Sequence, residues 1–108
     1  MASTKLPLIV LTSESTSSAA EILVAALQAK RRARVIGTAT CGCVLAIRSR
    51  HALPDGGLLD VSEFDYRTAN GLRLEGLGIK PDEQSSPTRA DIYSRRDPAL
   101  ELAKDMLN

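Results

Sequence analysis

Residues 6–11 form an apolar run, Leu-Pro-Leu-Ile-Val-Leu, without the polar alternation of a half-exposed strand. Such a run reads as a central strand covered on both faces by helices. Six small polar residues follow, Ser-Glu-Ser-Thr-Ser-Ser over 13–18. Apolar residues then recur at Ala19, Ile22, Leu23, Ala26 and Leu27, the i, i+3, i+4, i+7 spacing of an amphipathic helix over residues 18–28. The stretch is strand, turn, helix. Its turn delivers side chains and unpaired helix amides to a solvent-facing place. Ser18 stands at that junction, and Glu21 three residues later completes a capping-box pattern. Lys30-Arg31-Arg32 supplies cations suited to the helix C-terminus, a solvated end rather than a phosphate site.

Residues 34–38, Arg-Val-Ile-Gly-Thr, predict a second strand parallel to the first. Residues 44–51 and 58–67 predict two more, separated by Pro54-Asp55-Gly56-Gly57, where Pro presets φ and Gly accepts a positive one. Ala69-Asn70-Gly71 marks another turn before residues 72–75, so an antiparallel meander follows the parallel unit. Gly76 to Asp82 reads as a glycine-punctuated bend and residues 83–89 as polar loop. Residues 98–107 predict a short helix capped by Asp97 with Pro98 at its first position. The pattern predicts one α/β domain: a strand-helix-strand unit, an antiparallel β meander and a C-terminal helix, with residues 1–5 and 83–97 flexible.

Composition narrows the function classes. A chain of 108 residues can bury a modest core without staples. Its net charge of +1 offers no field for nucleic acid or an anionic membrane, and one Phe, two Tyr and no Trp provide no stacking platform. No signal peptide or membrane span is visible, and the compartment stays open. Cys41 and Cys43 are too few for a disulfide framework and sit near the upper limit of disulfide geometry for strand neighbours. With a single histidine, His51, they are also too few for a structural zinc site, and read as small, partly buried side chains at a glycine-tight turn. Gly76 and Gly78 lead into no helix, so they read as bends, and no cofactor is implied. A serine at a strand-to-helix turn is a nucleophile candidate, because nearby amides can hold the oxyanion formed on attack. The ordinary alternative is an N-cap. Thr16 and Ser17 offer neighbouring hydroxyls.

Four motifs occur in order: Ser-Thr-Ser-Ser-Ala-Ala-Glu-Ile, Arg-Val-Ile-Gly-Thr-Ala-Thr-Cys-Gly, Leu-Pro-Asp-Gly-Gly-Leu-Leu, and Asn-Gly-Leu-Arg-Leu-Glu-Gly-Leu-Gly-Ile-Lys-Pro-Asp. Together they resemble the C-terminal part of the tail-specific, or C-terminal processing, serine peptidases, which have a crotonase-like core. The likeness covers residues 6–82. It implies that Ser18 is the nucleophile and that the Ala19 amide is an oxyanion donor. One branch of the family uses a Ser–Lys dyad, with the lysine in a Gly-Lys-Gly sequence. This chain has Gly42-Cys43-Val44 there, and a thiol does not replace a desolvated amine as base. The chain is more similar to a tricorn-like branch that lacks the lysine and uses a histidine with a supporting carboxylate, the position of Glu75. That branch's histidine belongs to a segment well upstream, and His51, beside a turn, reads as a surface residue.

Two readings follow. In the first, the chain is the nucleophile-bearing C-terminal portion of a serine peptidase, acting on a polypeptide substrate and inactive until an upstream part of the peptidase chain supplies the base. In the second, it is a non-catalytic peptide-binding or assembly module that kept the fold. Either way an open sheet edge or apolar face is expected, with homo-oligomer formation as one consequence.

Overall fold

The computed structural model describes residues 4–108; of the leader expected to be flexible, residues 1–3 lie outside it. A parallel sheet is built from β1 (Ile9–Thr12), β2 (Arg34–Gly37) and β5 (Glu83–Gln84), in the order β1-β2-β5. Helix α1 (Ala19–Ala29) connects β1 to β2. A hairpin of β3 (Ala46–Ala52) and β4 (Leu58–Phe64) is inserted between β2 and β5. Two helices close the chain, α2 (Arg89–Tyr93) and α3 (Pro98–Leu107).

The strand-helix-strand unit forms as the pattern predicts, with Val10 opposite Val35 and Leu11 opposite Ile36. Its centre is β2, however, not β1. Val35 and Ile36 are fully buried, whereas Leu11 on the edge strand and Leu8 just before it stay 41% and 39% exposed. Successive strand residues face opposite ways. Val35 accordingly joins Val24 and Ala25 of α1, together with Val44, Leu74 and Ile79, in the main cluster. Ile36 lies outside that cluster, on the face where α3 meets β1 and β2 and buries Ala103.

The third strand explains why the middle moved. Residues 83–89 lack alternation and read as loop, yet Glu83 and Gln84 pair with Ile36 and Gly37. Asp82 seats them: its N–H donates to Val35 O at 2.8 Å and its carboxylate accepts Val35 N–H at 2.7 Å. Arg34 adds an ion pair to Glu83 at 2.5 Å. Backbone pairing and one side-chain carboxylate make this strand, so apolar periodicity does not reveal it. The remainder of the segment expected to be flexible holds α2, capped by Thr88, whose hydroxyl accepts Asp91 N–H. Asp97 caps α3 by accepting Leu100 N–H at 3.1 Å, with Pro98 at the start.

The meander is a two-stranded hairpin extended by one antiparallel bridge between Arg67 and Arg73. Its turn closes at Pro54 to Gly57, where Leu53 N–H donates to Gly57 O at 2.8 Å. All seven residues of each strand are exposed. The hairpin also stretches the molecule: the radius of gyration is 17.6 Å, against about 13 Å for a compact domain of this length.

Candidate active site

The polar turn after β1 ends at Ser18, whose backbone has φ 58° and ψ −127°. This region is open to glycine and strained for a side chain, by about 1–3 kcal/mol. Two acceptors hold it there. Ser18 N–H donates to Cys43 O at 3.0 Å and to Glu21 Oε2 at 3.0 Å. The capping box is in place, with the Glu21 carboxylate accepting the Ser18 amide and the Ser18 side chain set toward the Glu21 amide, although the hydroxyl makes no cap hydrogen bond. Ser18 is exposed, and among the described residues its hydroxyl makes no hydrogen bond. Ala19 is the first helical residue, a position whose N–H has no intrahelical partner. Of the neighbouring hydroxyls, Thr16 Oγ1 accepts Ser13 N–H at 3.1 Å, whereas Ser17 is exposed.

Glu21 is the buried hub beneath the turn, fully removed from solvent. Its carboxylate accepts Thr40 Oγ1–H at 2.6 Å, Gly42 N–H at 2.7 Å and Cys43 N–H at 2.9 Å, besides Ser18 N–H. Burial alone would push its pKa up. The Thr40 hydroxyl and the Cys43, Gly42 and Ser18 amides outweigh that and hold it below the ordinary glutamate value of 4.5. Thr40 passes the connection on, since its hydroxyl oxygen accepts Ile79 N–H at 2.7 Å. Sequence reasoning read Glu21 only as a cap. Its burial in the first turn of a helix depends on the loop that folds over it, which no local pattern reports.

Glu75 grips the same loop from the other side. Its Oε2 accepts Val44 N–H at 2.7 Å and Leu45 N–H at 3.1 Å. Four consecutive amides, Gly42 to Leu45, are therefore held by the carboxylates of Glu21 and Glu75. The loop packs backbone against backbone on the glycine bend. A Cβ on Gly42 would lie 3.0 Å from Gly78 N, and one on Gly78 would lie 2.5 Å from Thr40 O. Gly76 N–H donates to Gly42 O at 2.8 Å, so the bend serves as a seat for this loop.

Cys43 stands next to Ser18 through its carbonyl. It is bonded to Cys41 as a disulfide, with Cα atoms 5.2 Å apart, and both residues are exposed. Neighbours on an extended strand would sit farther apart; the positive φ of 71° at Gly42 turns the chain back and brings them together. The partly buried thiols expected at this turn are therefore corrected to an exposed disulfide. Such a sulfur has no proton to exchange and serves as no base. His51 lies on β3, where Nε2 pairs with Glu63 Oε1 across the hairpin, and does not join Ser18. Among the described residues, no group of three or more His, Cys, Asp or Glu side chains is placed to hold a metal ion. No helix of the described residues is long and apolar enough to cross a membrane. Beside the site runs a groove of about 700 Å³ that includes Thr12, Ser13, Thr16, Thr38, Ser85 and Ile92.

Known proteins share this fold. The chain is 39% identical over 109 residues to a carboxyl-terminal-processing protease of Synechocystis, a match covering 98% of this chain and 25% of that protein. Among solved structures it superposes on the tricorn protease with a TM-score of 0.86 at 29% identity, covering 94% of this chain and 10% of that one. The photosystem II D1 C-terminal processing protease matches with a TM-score of 0.67 at 34% identity, over 75% of this chain and 21% of that one. The chain thus spans a quarter or less of the length of these relatives. Its mixed α/β arrangement is that of the tricorn and C-terminal processing protease cores, and the sequence profile described as Peptidase family S41 matches residues 1–85. The chain belongs to peptidase family S41.

Proposed function

We propose that this chain is the nucleophile-bearing portion of a serine peptidase that hydrolyses peptide bonds near protein C-termini. One observation carries the reading: an exposed serine with an uncommitted hydroxyl, held in a strained backbone at a strand-to-helix junction. Ser18 Oγ would attack the carbonyl carbon of a polypeptide substrate lying along the adjoining groove, and the Ala19 N–H would receive the oxyanion. Glu75 Oε2 is committed to the loop amides, which leaves Oε1 to orient the base. That base comes from polypeptide beyond these 108 residues, because here the lysine position holds Cys43 in a disulfide and His51 is on the hairpin. It takes the serine proton on attack and returns it to the leaving amine. The same upstream polypeptide would cover the apolar side chains of the hairpin. By itself the chain is then inactive, since an unassisted serine hydroxyl keeps its high pKa.

A second reading, a non-catalytic peptide-binding or assembly module, is favoured by the disulfide at the lysine position. Labelling with a serine-directed fluorophosphonate separates the two. The chain, its Ser18→Ala variant and the chain joined to the upstream part of a relative are compared. Labelling only in the joined form, absent in Ser18→Ala, supports the peptidase. Labelling of the chain alone overturns its inactivity, and no labelling of a demonstrably folded joined form favours the module.

A further inference from the structure

Cys41 and Cys43 have no part in the peptidase reading, yet they are fastened to its centre. Cys41 N–H donates to Thr16 O at 2.9 Å, and Cys43 O receives Ser18 N–H at 3.0 Å. The disulfide ring and the nucleophile turn therefore share two backbone hydrogen bonds, one from each cysteine. The ring encloses only Gly42 between its half-cystines. A loop that short removes little freedom from the unfolded chain, so the bond is poorly placed to act as a global staple. Both half-cystines are exposed residues, the condition of labile rather than structural disulfides.

We propose that Cys41–Gly42–Cys43 is a thiol–disulfide exchange site for a dithiol reductant, and that its redox state sets how firmly the Ser18 turn is held. A thiolate of the reductant attacks one Sγ, the Sγ–Sγ bond breaks, and a mixed disulfide forms. The other cysteine leaves as thiolate and takes a proton. The reductant's second thiolate then displaces the first cysteine, which is protonated in turn. Two electrons and two protons enter the chain, and the reductant departs as its own disulfide.

Reduction leaves the deeper supports in place. Glu21 still holds the Gly42 and Cys43 amides, Glu75 the Val44 and Leu45 amides, and Gly42 remains seated on the Gly76–Gly78 bend. What is released is the covalent closure that fixes the Cys41 amide and the Cys43 carbonyl at the spacing that meets Thr16 and Ser18. The effect on a nucleophile rests on the peptidase reading; the exchange site does not.

The test uses the 108-residue chain without denaturant. It is equilibrated in mixtures of reduced and oxidised dithiothreitol, its thiols are alkylated and counted by mass, and amide hydrogen exchange is followed residue by residue in both end states. The expected result is a reversible two-electron transition, complete within roughly 100-fold molar excess of dithiol. In the reduced chain the Ser18 and Cys41 amides should exchange at least ~10-fold faster, with Val35 and Ile36 unchanged. The Cys41→Ser/Cys43→Ser variant should match the reduced chain in either buffer; should it fail to fold, the two states of the unaltered chain decide. Three results overturn the proposal: both thiols alkylated without reductant, a disulfide that yields only in denaturant, or identical Ser18 exchange in the two states. None of these readouts needs peptidase activity, so failure here and failure of fluorophosphonate labelling are independent.

Discussion

The loop over residues 40–45 and the hairpin of β3 and β4 adjoin in sequence and are built in opposite ways. In the loop almost nothing is regular, yet its amides are held by Glu21 and Glu75, and Thr40 and Val44 are buried. In the hairpin the strands form an antiparallel ladder, shifted in register between Ala46 and Ile47 and between Ile47 and Arg50, yet all seven residues of each strand are exposed, with Leu58 63% and Phe64 52% open to solvent. Regular hydrogen bonding therefore does not mark the stable part of this molecule. In the loop the hold comes from buried Glu21, half-buried Glu75 and backbone contact, whereas an isolated two-stranded hairpin is marginal in water.

Substitutions in the two regions should differ accordingly. The largest effect is expected for Leu74→Ala beneath the loop, where a fully buried side chain is lost. The cost should be about 3 kcal/mol, read by urea denaturation. Leu59→Ala on the hairpin, 46% exposed in the parent, should cost under about 1 kcal/mol. Equal values would mean that the hairpin carries buried surface this fold does not give it.

Glu21→Gln comes next. The amide keeps one acceptor oxygen but turns an NH₂ group toward amides that also donate, so the expected loss is on the order of 2–3 kcal/mol. The contrasting change, Glu63→Gln, whose side chain pairs with His51 on the exposed hairpin, should fall within about 0.5 kcal/mol. Acid sharpens this contrast. The folded pKa of Glu21 lies below 4.5, so its stabilisation is fully present above that value and is lost as pH falls through the folded one. Half-buried Asp91 and exposed Glu101 are lowered as well and act in the same direction. The slope of stability against pH below 4.5 should therefore flatten in Glu21→Gln without vanishing. An unchanged slope would show that Glu21 is not the hub.

A change at the nucleophile candidate has the opposite sign. Ser18→Gly removes the side chain strained at φ 58°. Relief of strain should exceed the added chain entropy and raise stability by about 1 kcal/mol, while Ser18→Ala keeps the strain and gains nothing. A glycine variant less stable than the parent would mean that the hydroxyl supports the fold rather than waiting for chemistry.

Much was legible from local signals. The α1 periodicity, the Pro54–Gly57 turn and the Asp97-Pro98 start of α3 each act within a few residues, so each appears in the chain as written. The motif likeness placed the chain among the C-terminal processing peptidases, as the family match shows. The sequence also singled out Ser18 as a junction residue, because a switch from apolar run to helical period is a local event. Tertiary structure decided what depends on partners far along the chain. β2 became the centre because Asp82 and Glu83 reach it from nearly fifty residues away. Glu21 became a hub because Thr40, Gly42 and Cys43 fold over it, and the cysteines met because Gly42 turns back. Periodicity reports which face of an element is apolar; it carries no information on which distant amide will claim a carboxylate, and that choice made this site.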